Sequence, residues 1–224
     1  MRAPLRLKIC GLRNPRQAAA VAALGADAIG VIAVASSPRH VQADGRPGLF
    51  AAVHAVAPAC QGVLVVADPP AAQLPELEPA RGHQVIQLHG EESPRMCRQL
   101  RQQLGCSVWK ALRVRSPEDL QRAEAYVDAV DALLLDAWVP GQLGGTGHAL
   151  PLEWLQDWRA PLPWWLAGGV RAARVAELCS RVQPVGLDAS SGVERSPGDK
   201  DLDLVRELLA SLPGRQPQGS HRAS

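Results

Sequence analysis

Aromatic residues are scarce in this chain. One Phe (Phe50), one Tyr (Tyr126) and six Trp are spread over 224 residues. Lysine is scarcer still relative to arginine, with three Lys against 21 Arg, which reads as a coding bias that puts many Arg on solvated helix faces. Net charge is also small: 24 basic less 22 acidic residues gives +2, so no electrostatic case exists for a nucleic-acid or membrane partner. No stretch approaches the ~18 unbroken apolar residues of a membrane span. The N-terminal MRAPLRLKICG lacks the apolar segment of a signal peptide, so a cytoplasmic location is expected. The five cysteines (Cys10, Cys60, Cys97, Cys106, Cys179) are odd in number and contain no C-x-x-C pair, which argues against disulfides and against a zinc site. Most of them read as small core residues.

What the chain does have is apolar material, 46% of its residues, arranged in short recurring runs. These lie at residues 5–10, 28–34, 62–66, 85–88, 108–112, 132–135, 164–166 and 185–188. Several are rich in β-branched residues and are flanked by Gly, Pro or charge, as buried strands are. Helical start signals fall between them. Asn14-Pro15 pairs a cap with a first-turn proline, and Gly25 is a fitting stop. Ser93-Pro94 and Ser116-Pro117-Glu118-Asp119 repeat the signal, the latter with two acids where the helix dipole favours them. Eight strands alternating with helix-like segments, without a composition shift, predict one α/β domain, a (β/α)8 barrel over residues 1–212. The GLRNPR after the first strand is not the G-x-G-x-x-G of a dinucleotide site in an open sheet. Residues 213–224 are expected to form a disordered polar tail.

Such a barrel carries its site at the carboxyl ends of the strands. There the chain places Cys10-Gly11, Ser37-Pro38-Arg39, His89-Gly90, Asp136, Gly168-Gly169 and Asp188 followed by Ser190-Ser191. The loops after strands seven and eight are where barrels most often hold a phosphate. Gly168 and Gly169 let backbone approach an anion, and Ser190 and Ser191 offer hydroxyls. Cys10 and Asp136 come from well-separated strands and can face one substrate from two sides. Arg39 or Lys8 is expected to lower the thiol pKa of Cys10, and burial to raise that of Asp136. From spacing alone, Cys10 reads equally well as core filler and Asp136 as a cap.

The chain resembles the phosphoribosylanthranilate isomerases of tryptophan biosynthesis. The segments that carry the likeness are KICGL (8–12), GADAIGV (25–31), SPRHV (37–41), VIQLHGEE (85–92), LLLDA (133–137), GGTG (144–147), LAGGV (166–170) and GLDASSGVERSPGDKD (186–201). The resemblance implies an Amadori rearrangement of N-(5-phosphoribosyl)anthranilate to 1-(2-carboxyphenylamino)-1-deoxyribulose 5-phosphate, without metal or organic cofactor. It also implies that Asp136 is the general acid, that Cys10 is the general base, that Arg39 lies beside the anthranilate, and that Asp188 lies near the amine and sugar hydroxyls. The glycine loop at 144–147 is expected to fold over the substrate, and the protein to act as a monomer.

One departure stands out. The family's strand-two aromatics, of the form G-F-x-F, are replaced here by GVIAVASSPRHV, and Trp138 is the candidate to substitute. Three other readings compete. Lys8 or Lys110 inside the barrel would suit a Schiff-base aldolase. A histidine-pathway aminoaldose isomerase would be expected to carry Asp where Cys10 stands. A non-catalytic phosphometabolite-binding barrel would have no need of both Cys10 and Asp136.

Overall fold

The computed structural model describes residues 4–138 and 147–215. Eight parallel strands close into a barrel in chain order: β1 (Arg6–Cys10), β2 (Ala28–Ile32), β3 (Gln61–Val66), β4 (Val85–Leu88), β5 (Ser107–Val114), β6 (Ala132–Ala137), β7 (Trp164–Ala167) and β8 (Gly186–Ala189). β8 pairs back onto β1, with Lys8 in register with Asp188 on one side and with Ala28 on the other. All eight strands fall where the apolar runs predict them.

Alternation along each strand divides the core in two. Leu7 and Ile9 of β1 face outward, into a layer shared with the helices, while Lys8 and Cys10 face the barrel axis. Inside the barrel, small residues (Ala28, Ala111, Ala132, Ala167) make room for two large ones. Trp109 and Trp165 stack with ring centroids 4.9 Å apart, and Gly186 has no side chain because a Cβ there would run into the Trp165 ring. The Arg6 guanidinium lies 5.2 Å from the centre of the Trp165 ring and donates to Gln61, closing the amino-terminal end. Trp164 faces the other way and meets Trp158 edge-on.

The helices start where their caps predict. Asn14 accepts from the N–H groups of Arg16 and Gln17 at the start of α1 (Pro15–Ala23), and Ser93 accepts from Met96 at the start of α3 (Pro94–Leu104). α2 spans Gly45–Val56, α4 Ala172–Arg181 and α5 Leu202–Ser211. Three crossovers depart from the expected helix. After β3 the chain makes 3-10 turns at Ala71–Leu77 and Pro79–Arg81, because Pro75 and Pro79 withhold the donors an α-helix needs. After β5, Pro117–Tyr126 is also 3-10 in spite of its good start signal. Its buried residues Leu120, Ala123 and Tyr126 recur every three positions, the period that keeps one face of a 3-10 helix inward. Ser116 makes no cap bond there, and Asp119 instead accepts from the Arg115 N–H. After β6 the only described helical turn is Leu152–Trp154.

A short hairpin, β9 (Glu194–Ser196) with β10 (Asp199–Lys200), precedes α5 and was not foreseen. Of the expected disordered tail, Pro213 to Arg215 are described. Arg215 donates to the Gly25 carbonyl and pairs with Asp27, so the folded part continues past residue 212. Residues 216–224 lie outside the described residues. No helix among the described residues is long and apolar enough to cross a membrane.

Candidate active site

One cleft of about 700 Å³ opens at the carboxyl end of the barrel. Its walls include all eight residues singled out from the sequence: Cys10, Arg39, Asp136, Gly168, Gly169, Asp188, Ser190 and Ser191. Cys10 ends β1, Asp136 is the fifth residue of β6, and Asp188 projects from β8. The strand geometry explains the convergence, because each side chain stands at an inward position of its strand and the barrel axis collects them.

The charges on the floor differ from expectation in one respect. Lys8 is fully buried beneath the cleft and donates to Asp188 Oδ2 at 2.9 Å. Burial pushes the Cys10 thiol up from its ordinary value, and the opposing pull of Lys8 does not overcome it. The predicted lowering of the Cys10 pKa is therefore corrected: desolvation wins in this site. Burial likewise pushes the Asp188 carboxyl up, against the pull of Lys8. Lys8 itself is held above the ordinary lysine value, because attraction to Asp188 and Cys10 outweighs the cost of its burial.

Arg39 is also less free than the sequence suggests. Its Nε and Nη2 donate to both carboxylate oxygens of Glu194, at 2.9, 3.2 and 2.7 Å. Glu194 also accepts from Lys200 Nζ at 2.6 Å and from the Gly198 N–H at 3.0 Å. The guanidinium is thus clamped at the wall, its stem over Gly11, where a Cβ would collide with it.

On the opposite wall Asp136 is buried, and its Oδ1 accepts from the Ala137 N–H at 3.0 Å. Its Oδ2 faces His89 Nε2 at 3.6 Å. Gln87 Nε2 lies 3.1 Å from His89 Nδ1. Gln87 Oε1, His89 Nε2 and Asp188 Oδ1 are buried polar atoms without a hydrogen-bond partner, and all three residues line the cleft. Such atoms suit a polyhydroxylated ligand, whose hydroxyls both donate and accept.

The rim after β7 and β8 is backbone-rich. Gly168 and Gly169 have φ of +91° and +63°, and a Cβ on Gly168 would strike the His148 carbonyl oxygen. A Cβ on Gly192 would strike the Val170 carbonyl. A second opening, of about 750 Å³, adjoins this rim and is lined by Gly147, Ala149, Gly169, Arg171, Arg174, Ser191 and Gly192. The Ser190 hydroxyl donates to the Cys10 carbonyl at 3.1 Å, so its proton is committed to β1 and not to a ligand.

Two further expectations change. Lys110 lies outside the barrel, where its ammonium donates to Glu92 at 3.0 Å and to three backbone carbonyls. β5 directs Trp109 and Ala111 inward, which turns Lys110 outward. With Lys8 held charged by Asp188 as well, neither lysine suits a Schiff base. Trp138 is exposed beneath Arg115 and does not line the cleft, which has the aliphatic Ile32, Val34 and Val65 on its wall instead. Of the glycine loop, Gly147 is described and lines the cleft, while residues 144–146 lie outside the described residues.

Gln87 stands with His89 at the end of strand four, as the sequence places it, whereas Glu194, Lys200 and Arg174 are not singled out by the sequence. Gln87 sits inside VIQLHGEE, and Glu194 and Lys200 inside GLDASSGVERSPGDKD, so the signal was in segments already marked.

A closed eight-stranded barrel with a thiol and carboxyl groups lining one cleft at its carboxyl end has the layout of a barrel enzyme. The family model described as N-(5'phosphoribosyl)anthranilate (PRA) isomerase matches residues 7–211, and the chain belongs to that family. Relatives named N-(5'-phosphoribosyl)anthranilate isomerase include those of Synechocystis sp., 46% identical over 93% of this chain and 95% of the relative, and Nostoc punctiforme, 44% identical over 95% and 100%. The solved phosphoribosyl anthranilate isomerase of Thermotoga maritima matches with a TM-score of 0.82 and 27% identity, over 92% of this chain and 98% of that one. A further solved phosphoribosyl anthranilate isomerase is in complex with reduced 1-(o-carboxyphenylamino)-1-deoxyribulose 5-phosphate. It matches with a TM-score of 0.79 and 26% identity, over 92% and 97%.

Proposed function

We infer that this chain is a phosphoribosylanthranilate isomerase, converting N-(5'-phosphoribosyl)anthranilate to 1-(2-carboxyphenylamino)-1-deoxyribulose 5-phosphate in tryptophan biosynthesis. The observation that carries the reading is that Cys10 and Asp136 line one cleft from different strands, beside a glycine-rich rim.

In this reading Asp136 protonates the ring oxygen of the ribose. The C1′–O bond breaks, and the nitrogen lone pair forms the C1′=N iminium. Cys10, as thiolate, removes the C2′ proton, and those electrons form the C1′=C2′ bond of an enolamine. The thiol returns that proton to C1′ while the C2′ hydroxyl loses its own proton to the Asp136 carboxylate, which gives the C2′ ketone and restores both groups, so the substrate is isomerised with no net gain or loss of atoms. Each correctly placed group contributes about 10² to 10⁴ in rate. Asp188, with an unpartnered Oδ1, is assigned to the amine and sugar hydroxyls, and Arg39 to the anthranilate side. Gly168, Gly169, Ser190 and Ser191 are assigned to the phosphate. Ser190 acts there through its backbone, since its hydroxyl already donates to Cys10. The relative that holds the reduced product analogue supports the substrate class.

Loss of anthranilate-substrate fluorescence is the direct test. The native chain should show turnover, and Cys10→Ala and Asp136→Asn should bind substrate with turnover lowered by about 10² to 10⁴. Absence of turnover in the native chain would end this reading. Action as a cytoplasmic monomer belongs to the same proposal, and sedimentation at working concentration checks the oligomeric part.

A further inference from the structure

A buried thiol that must act as a base needs a nearby positive charge, and several groups face Cys10. Lys8 lies on its own strand, Asp188 on β8, Arg39 in the loop after β2 and Lys200 on β10. Arg39 and Lys200 both bond directly to Glu194, and Lys200 also to the Ser190 carbonyl. Lys8 is placed differently. It sits two residues before Cys10 on the same inward face, has no exposed surface, and is one layer below the cleft without lining it. Its one carboxylate partner, Asp188, is engaged through Oδ2 only.

We propose that Lys8 is a positioning residue of the reaction, a cation shared between Asp188 and Cys10 that supplies the counter-charge of the Cys10 thiolate. This rests on the assignment of Cys10 as the base and adds the group that makes the base usable. Lys8 touches no substrate. It acts from below, where the absence of water leaves its field unscreened. Among the charged groups around Cys10 it exerts the largest pull, and Asp188 opposes it.

The test reads the thiol itself and not turnover. Cys10 alkylation by iodoacetamide is followed at pH 8.5 on the intact enzyme, with the modified peptide resolved by mass spectrometry from the other four cysteines. Loss of a neighbouring opposite charge shifts a pKa by roughly one unit or more, so Lys8→Met should slow Cys10 alkylation about tenfold. Lys8→Arg, which keeps the charge, should restore most of it. Asp188→Asn, nearly isosteric, should speed alkylation, since the thiolate then has sole claim on Lys8. Unchanged rates in Lys8→Met, or slower alkylation in Asp188→Asn, would overturn the proposal. If Lys8→Met does not fold, Lys8→Gln measured in the same way decides. The base assignment fails separately, through retained turnover in Cys10→Ala.

Discussion

His89 Nε2 faces Asp136 Oδ2 across 3.6 Å, two buried groups from neighbouring parts of one wall. The Gln87 amide nitrogen can only donate, so His89 Nδ1 accepts, and a neutral ring then carries its proton on Nε2, toward the acid. The distance is too long for a hydrogen bond, which leaves both atoms available to a ligand hydroxyl that meets them from the cleft. His89→Asn and Gln87→Leu are expected to lower kcat by about tenfold, less than loss of Asp136. Steady-state kinetics of the two variants check this.

Asp136→Asn keeps the shape of the side chain and removes the proton donor. Turnover is expected to fall by about 10² to 10⁴ with substrate affinity nearly unchanged. Single-turnover and equilibrium-binding measurements separate the two quantities. A variant with most of its turnover would remove Asp136 from the acid role.

Cys10 fixes the expected pH dependence. Burial holds its thiol above the ordinary value, and a base acts only when deprotonated. In the free enzyme kcat/KM should therefore climb with pH toward and beyond the ordinary thiol range of about 8.5, about tenfold per unit below the pKa. A pH–rate profile flat from 6 to 9 would contradict this.

Glu194 holds Arg39 and Lys200 together. Its carboxyl is below the usual range, because the bonds from Arg39 and Lys200 outweigh the burial that pushes it up. A depressed folded pKa gives stability that is present above the unfolded value and lost as pH falls through the folded one. Native protein should lose stability on acidification below about pH 4.5, the ordinary Glu value, and Glu194→Gln should lose less over that window while being less stable at neutral pH. Thermal unfolding at several pH values measures it. The same variant should raise KM, since Arg39 is no longer clamped.

Gly168→Ala places a methyl against the His148 carbonyl at a φ of +91°. Backbone cannot yield as a side chain can, so the rim must shift. A loss of about 1–3 kcal/mol in stability and weaker binding of inorganic phosphate are expected, by denaturant melts and calorimetry.

Much of this was legible in the residues. β6 was visible because Ala132 to Leu135 is an unbroken apolar run, and α1 because Asn14-Pro15 and Gly25 bracket it. The 3-10 form of Pro117–Tyr126 was not, since its start signal is that of an α-helix and only packing at every third residue distinguishes the two. Lys110 was misplaced for a related reason: one residue of strand phase decides between the barrel axis and the helix layer.

By itself the sequence determined the eight-stranded barrel, the ends of the strands and the identity of the residues carried there. Periodicity and caps are local properties, and local properties survive in one dimension. The tertiary structure alone decided which charge answers which. That Lys8 pairs with Asp188, 180 residues away, and that Arg39 spends its guanidinium on Glu194, depend on distances set by barrel closure. Whether the Cys10 pKa is lowered by cations or raised by burial is a contest between those distances and desolvation, and in this structure burial prevails.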